Sequence, residues 1–211
     1  MIIISSYGFG SPIIEHKYKE YINPHGKSVL IIPFAGYSNN AKAQYEKDAL
    51  KNYGFDDEKI IICDKTNISE IKDMIFNYIY VPGGDSFSLL FSLKKLNLLE
   101  VVREFIKKGS TYIGVSAGAY ICTSDIEYVT LLEDNNYKFD DFAALGILED
   151  NIIICHADQY GYKNILKCKE LVPYNKHFLY INNTDVVVID KWKLFNINSS
   201  NRCQANIFFG K

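Results

Sequence analysis

Thr111-Tyr112-Ile113-Gly114-Val115-Ser116-Ala117-Gly118-Ala119-Tyr120 is the stretch on which the reading of this chain turns. Its first five residues are mostly apolar, with β-branched and aromatic side chains, as in a strand buried within a parallel sheet. Ala117–Thr123 reads as a helix. Ser116 thus falls on a strand-to-helix turn at the carboxyl end of a parallel strand, where α/β sheets place their sites. Glycines two residues before and two after the serine leave room for a sharp turn that pushes its hydroxyl clear of the backbone.

The same alternation extends in both directions. Strands are expected at Ile2–Ile4, Val29–Pro33, Lys59–Cys63 and Tyr78–Pro82, short and apolar on both faces. Between them, Asn39 or Asn40 can cap a helix with Tyr45, Ala49 and Tyr53 on one face that stops at Gly54. Leu98, Val101, Phe105 and Ile106 make a second helical stripe, stopped by Gly109. Strand–helix alternation implies right-handed crossovers and an α/β fold of three layers, a mostly parallel sheet with helices on both faces. From Ile126 onward strands dominate, at Ile126–Leu131, Ile152–Cys155, Phe178–Ile181, Val186–Ile189, Lys193–Ile197 and Ile207–Phe209. Only Tyr162–Glu170 looks helical there, so the C-terminal part is expected to be partly antiparallel. The polar stretch Glu133–Asp141 reads as a loop, and residues 1–211 as one domain.

With 211 residues, 48% hydrophobic and 23% charged, the chain can bury a sizeable core. A formal net charge of -2 gives no steering towards nucleic acid or an anionic membrane. No apolar run approaches the roughly 20 residues of a membrane helix. Met1-Ile2-Ile3-Ile4-Ser5 lacks the basic flank of a secretion signal, so a cytoplasmic location is expected. The cysteines at 63, 122, 155, 168 and 203 form no C-x-x-C pair and have no histidine at ligand spacing. Reduced core cysteines are expected, with neither a disulfide framework nor a metal or other cofactor.

Ser116 is the candidate nucleophile, with the Ala117 N–H facing the space before it. Pro82-Gly83-Gly84-Asp85 follows a strand and precedes a short helix, Ser86–Ser92. The Gly84 N–H is the natural second donor to an oxyanion. Asp85 is a candidate both for capping that helix and for binding substrate, and the two roles can coexist. His16 and His25 sit in polar surroundings and are assigned to the surface, and His177, just before a strand, to the surface or to packing. His156 differs, because it ends an apolar strand and opens the loop Ala157-Asp158-Gln159. It is the candidate base. Its orienting partner is left open by the residues alone: Asp140 or Asp141 before it, or Asp158, Asp185 or Asp190 after it.

Four segments together resemble peptidase E (aspartyl dipeptidase) and its cyanophycinase relatives: Ile31–Gly36, Val81–Phe87, Tyr112–Ala119 and Leu145–Leu148. The resemblance implies a fold like class I glutamine amidotransferases, with serine where those enzymes use cysteine. It implies a serine-type peptidase cleaving small peptides through an acyl-enzyme, without cofactor. Ser116 is then nucleophile, His156 base, and Gly84 with Ala117 the oxyanion donors. Where the family carries its acid, this chain has Asn182-Asn183-Thr184-Asp185, so Asn183 or Asp185 is the expected orienter, held at the start of a strand. Where the family tends to carry substrate-holding arginines, this chain has Lys163, Lys167 and Lys169. A lysine is a point charge rather than a bidentate fork, so weak selectivity for an acidic or polar N-terminal residue follows. The alternative is a catalytically weakened relative that binds a peptide or small ligand. Monomer and homodimer both stay open.

Overall fold

The computed structural model describes residues 1–36, 40–138, 140–148, 151–160, 162–172, 175–190, 193–197 and 202–205. In chain order the elements are β1 (Ile2–Ser5), α1 (Pro12–Tyr18), β2 (Val29–Ile31), α2 (Asn40–Tyr53), β3 (Ile60–Ile62), α3 (Ile68–Ile71), β4 (Tyr78–Val81), α4 (Ser86–Lys95), α5 (Leu98–Lys107), β5 (Thr111–Val115) and α6 (Ala117–Tyr120). Then follow β6 (Asn151–Cys155), α7 (Tyr162–Leu171), β7 (His177–Ile181), β8 (Val186–Asp190), β9 (Lys193–Ile197) and β10 (Arg202–Ala205). The main sheet has the order β10-β9-β8-β1-β5-β4-β2-β3. Strands β1, β5, β4, β2 and β3 are mutually parallel. β8 joins β1 antiparallel, and β9 and β10 extend that edge. β6 and β7 form a separate parallel pair.

Successive side chains of a strand point to opposite faces. Here both faces are covered. Ile3, Val29, Ile31, Tyr78, Tyr80, Ile113 and Val115 meet Ile14 and Tyr18 of α1 and Ala49 and Leu50 of α2. On the other face Ile4, Leu30, Ile79, Val81 and Tyr112 meet Phe87, Leu90, Val102, Phe105 and Tyr120 from α4, α5 and α6. That two-sided burial is why these strands read as unbroken apolar runs. The three-layer α/β arrangement read from the sequence is the one present, with its antiparallel part at the C-terminal edge.

Some local readings need correction. Ile126–Leu131 is not a strand: Glu127–Leu131 forms a 3₁₀ turn. Among the described residues it pairs with no strand. Instead the Tyr128 hydroxyl donates to the Ile153 carbonyl at 2.9 Å, which lays the turn against β6. On α2 the inward face is Ala43, Glu46, Ala49 and Leu50, and Tyr45 is 60% exposed. A glutamate takes the inward position because Tyr80 supplies it with a hydrogen bond. Ile207–Phe209 lies outside the described residues, and the strand Arg202–Ala205 was not anticipated. Cys63, Cys122, Cys155 and Cys168 are buried free thiols.

Candidate active site

Ser116 sits between β5 and α6 at φ 48, ψ −106, a conformation that L-residues rarely adopt. Its N–H donates to the Ser5 carbonyl at 2.9 Å, which ties the turn to the end of β1. Gly118 is needed for the approach of α6 to β4: a Cβ there would stand 2.1 Å from the Val81 carbonyl oxygen. The turn is thus wedged between two strand ends, and the serine side chain projects beyond the sheet. The Ala117 N–H, at the first position of the helix, has no intrahelical acceptor.

The β6–β7 pair delivers the second half of the site. Cys155 and Ile181 are direct partners in the parallel register, so the residues just beyond them emerge side by side. His156 follows β6 at φ 53, and Asn183 lies two residues past β7. Ser6, 1% exposed and just beyond β1, joins this pair to the main sheet. Its hydroxyl donates to the Ile181 carbonyl at 2.8 Å and accepts from the His156 N–H at 2.9 Å. His156 Nε2 is 3.2 Å from Ser116 Oγ, and His156 Nδ1 is 2.6 Å from Asn183 Oδ1. An amide oxygen accepts only, so Nδ1 carries the proton and Nε2 is left free to accept from the serine hydroxyl. The Asn183 N–H donates in turn to Asp158 Oδ1 at 3.2 Å.

Asp185 is not at the histidine. It is 3% exposed, and its Oδ2 accepts from the Asn182 N–H at 3.1 Å, closing the turn before β8. Burial lowers the pKa of Lys17, which donates to the Thr184 carbonyl, and the nearby Asp185 charge offsets part of that. Asp140 and Asp141 are exposed, and Asp141 pairs with Lys94 at 2.6 Å. Of the acids and amides considered, the structure brings Asn183 to His156.

The glycine loop closes the third side. A Cβ on Gly83 would be 3.1 Å from Ser116 Cβ, so this backbone lies directly against the serine. Gly84, at φ +135, has no room for a side chain: its Cβ would stand 2.0 Å from the Ala35 carbonyl oxygen. Asp85 caps α4, accepting from the Ser88 N–H at 2.7 Å, and its own N–H donates to Ala35 at 3.0 Å. Glu133, from the loop after the 3₁₀ turn, accepts from the Ser86 N–H at 3.0 Å and its hydroxyl at 3.1 Å.

The model of peptidase family S51 matches residues 1–195. The chain belongs to peptidase family S51. It is 32% identical over 139 residues to an uncharacterized peptidase of Pasteurella multocida, covering 62% of this chain and 66% of that one. It is 33% identical over 106 residues to peptidase E of Haemophilus influenzae, covering 48% of this chain and 46% of the relative. A Drosophila melanogaster protein named "probable alpha-aspartyl dipeptidase" is 30% identical over 132 residues, covering 60% of this chain and 53% of its own. These matches thus span just under two thirds of the relatives' lengths, or about half. A crystal structure of a peptidase from an acI-B1 actinobacterium superposes with a TM-score of 0.67 at 16% identity, over 97% of this chain and 93% of that one. A Listeria monocytogenes crystal structure reaches a TM-score of 0.71 at 22% identity, over 98% of both chains. At those identities the superpositions speak for the fold.

In this S51 chain a cleft of ≈ 270 Å³ opens beside the serine, lined by Tyr7, Lys42, Tyr45, Glu46 and Tyr80 together with Gly83, Gly84, Ser116 and His156. A larger hollow of ≈ 540 Å³ lies along Asp85 and Glu133 but is not lined by the serine or the histidine, so reactive groups rather than volume mark the site. The Tyr7 ring meets His156 edge-on at 5.3 Å. Lys42 Nζ donates to the Gly83 carbonyl at 2.6 Å, and Tyr80 donates to Glu46 Oε2 at 2.7 Å. Sequence reading missed Lys42 and Glu46, whose one-turn spacing on α2 was the available signal. Lys167 is exposed on α7 and is not among the residues lining the cleft. The Lys163 side chain lies outside the described residues. His16, His25 and His177 are exposed. Among the described residues no group of three or more His, Cys, Asp or Glu is placed to hold a metal ion, and no helix is long and apolar enough to cross a membrane.

Burial pushes the Glu46 carboxyl above its usual range, against the opposing pull of Tyr80 and Lys42. A raised folded-state pKa means this group favours folding below its ordinary pKa of 4.5, and that contribution fades as pH climbs through the raised value. Glu46→Gln keeps an acceptor for Tyr80 and abolishes the titration. Its melting temperature relative to the unsubstituted protein is therefore expected to rise between pH 4.5 and 7. A pH-independent difference in paired thermal melts would show that Glu46 titrates normally.

Proposed function

We propose that this S51 chain is a serine-type peptidase of short peptides that works through an acyl-enzyme on Ser116. The observation that carries the reading is the hydrogen-bonded series Ser116 Oγ–His156 Nε2 at 3.2 Å and His156 Nδ1–Asn183 Oδ1 at 2.6 Å. His156 accepts the hydroxyl proton as Ser116 attacks the peptide carbonyl. The Gly84 and Ala117 N–H groups receive the developing oxyanion. The imidazolium then protonates the departing amine, and water resolves the acyl-enzyme by the reverse sequence. Digestion of a peptide library by the unsubstituted protein and by Ser116→Ala, side by side, tests the reading: cleavage that survives the substitution rejects it.

The cleft lining supports a short-peptide substrate. It offers one lysine, one buried carboxyl and three tyrosines, a mixed lining for short peptides. A preference for an acidic or polar N-terminal residue is expected to be shallow, because the α7 lysine Lys167 does not line the cleft. The library digest reads this directly.

Asn183 fixes the tautomer of His156 without a charge to stabilise the imidazolium. Asn183→Asp would supply one. A hydrogen bond to a charged group exceeds a neutral one by about 1–1.5 kcal/mol, roughly tenfold in rate. Asn183→Asp is therefore expected to raise kcat about tenfold, and Asn183→Ala to lower it by at least that factor. Unchanged kcat in both, with collapse in Asp158→Ala, would move the orienting role to Asp158.

A further inference from the structure

We infer that Lys42 is a positioning residue for the oxyanion hole, holding the Gly83–Gly84 peptide in the orientation that turns the Gly84 N–H towards Ser116. This rests on the serine-peptidase reading and deepens it.

A peptide bond flanked by two glycines has little steric preference between its two faces. In a trans peptide the C=O and the following N–H point in opposite directions. One orientation therefore gives the oxyanion a donor, and the flipped one presents a carbonyl oxygen that repels it. Three contacts bear on this peptide. The Asp85 N–H donates to the Ala35 carbonyl at 3.0 Å, which fixes the chain after Gly84. That same carbonyl fills the space of a Gly84 side chain. These two hold the position of the loop, and neither touches the Gly83 carbonyl. Lys42 Nζ, at 2.6 Å from that carbonyl, is the contact that fixes its direction.

The lysine is itself held. It comes from α2, whose inward face packs Ala49 and Leu50 into the core. Burial lowers the pKa of its ammonium, and Glu46, one turn later on the same face, offsets part of that by favouring the charged form. Tyr80, whose hydroxyl donates to Glu46, belongs to β4, the strand that runs into the glycine loop. Helix, strand and loop are thus linked through one ammonium group that touches neither the serine nor the histidine in this arrangement.

The test compares Lys42→Met, Lys42→Gln and Lys42→Arg with the unsubstituted protein and Ser116→Ala. The substrate is the library peptide cleaved fastest, and the probe is a peptide aldehyde built on the same acyl residue. The aldehyde forms a tetrahedral adduct with the serine and so reports the oxyanion hole. A charge-assisted hydrogen bond supports an expected fall in kcat of about 10–100-fold in Lys42→Met and Lys42→Gln. KM is expected to stay within about threefold, since ground-state binding is not what this contact serves. Aldehyde affinity should fall in parallel with kcat, and Lys42→Arg should restore much of both. If Lys42→Met fails to fold, the Gln and Arg variants carry the same comparison. Unchanged kcat and aldehyde affinity in Met and Gln would overturn the inference, as would a raised KM at constant kcat, which would make Lys42 a substrate-binding residue. Cleavage by Ser116→Ala at the unsubstituted rate would instead reject the underlying mechanism.

Discussion

Ser116→Ala is expected to lower kcat by roughly four to six orders of magnitude, with KM little changed, because the nucleophile and its partners act as a unit. Oγ is the only atom lost. The alanine methyl keeps the wedge between β1 and β4, and the backbone at φ 48 is held by the Ser5 carbonyl and the packing of Gly118 on Val81. The variant should therefore melt at or slightly above the temperature of the parent, since among the described residues the serine hydroxyl hydrogen-bonds only to His156. Steady-state kinetics with a melting curve check both halves. A fall in rate accompanied by loss of folded protein would be a structural effect and would not support the nucleophile assignment. His156→Ala is expected to match the serine variant in magnitude, and the double variant to add little.

Gly84→Ala is expected to lower kcat about a hundred- to a thousandfold, the cost of losing one oxyanion donor. The added Cβ would stand 2.0 Å from a backbone oxygen, Ala35 O, which has no rotamer by which to withdraw. At φ +135 an alanine is strained even in open space. The loop must therefore move, carrying the Gly84 N–H out of line. A strained backbone position costs about 1–3 kcal/mol, so the melting temperature should fall as well. Gly109→Ala separates the two effects. It sits at φ +102 with nothing within 4 Å of the added Cβ, so it pays strain without moving the loop. Lower stability at normal kcat is expected there. Normal kcat in Gly84→Ala would remove its N–H from the oxyanion hole.

The layers of the fold were legible in the sequence because burial on both faces leaves a local mark. β5 matches its predicted limits, Thr111–Val115, and β4 falls one residue short of its predicted Pro82 end. Strand, glycine and small residue in succession also mark the turn at Ser116, where only a glycine at 118 lets the helix start press on β4. The 3₁₀ turn at Glu127–Leu131 reads as a strand in the sequence because a short apolar run has the same composition in either state.

The sequence by itself determined the strand-to-helix turn, the glycine loop and the strand end that carries His156, because each depends on neighbours a few residues away. Tertiary structure decided which residue meets the histidine. Asn183 and Asp185 were equal candidates in the chain, and the register of β7 on β6 turns the first towards His156 and the second into its own turn. It also decided that Lys42 and Glu46 belong to the cleft. On a helix their one-turn spacing is ordinary surface chemistry. Packing α2 over β4 buries Glu46 and half-buries Lys42, and commits their hydrogen bonds to Tyr80 and Gly83, because a polar group taken from water must find its partner within the fold.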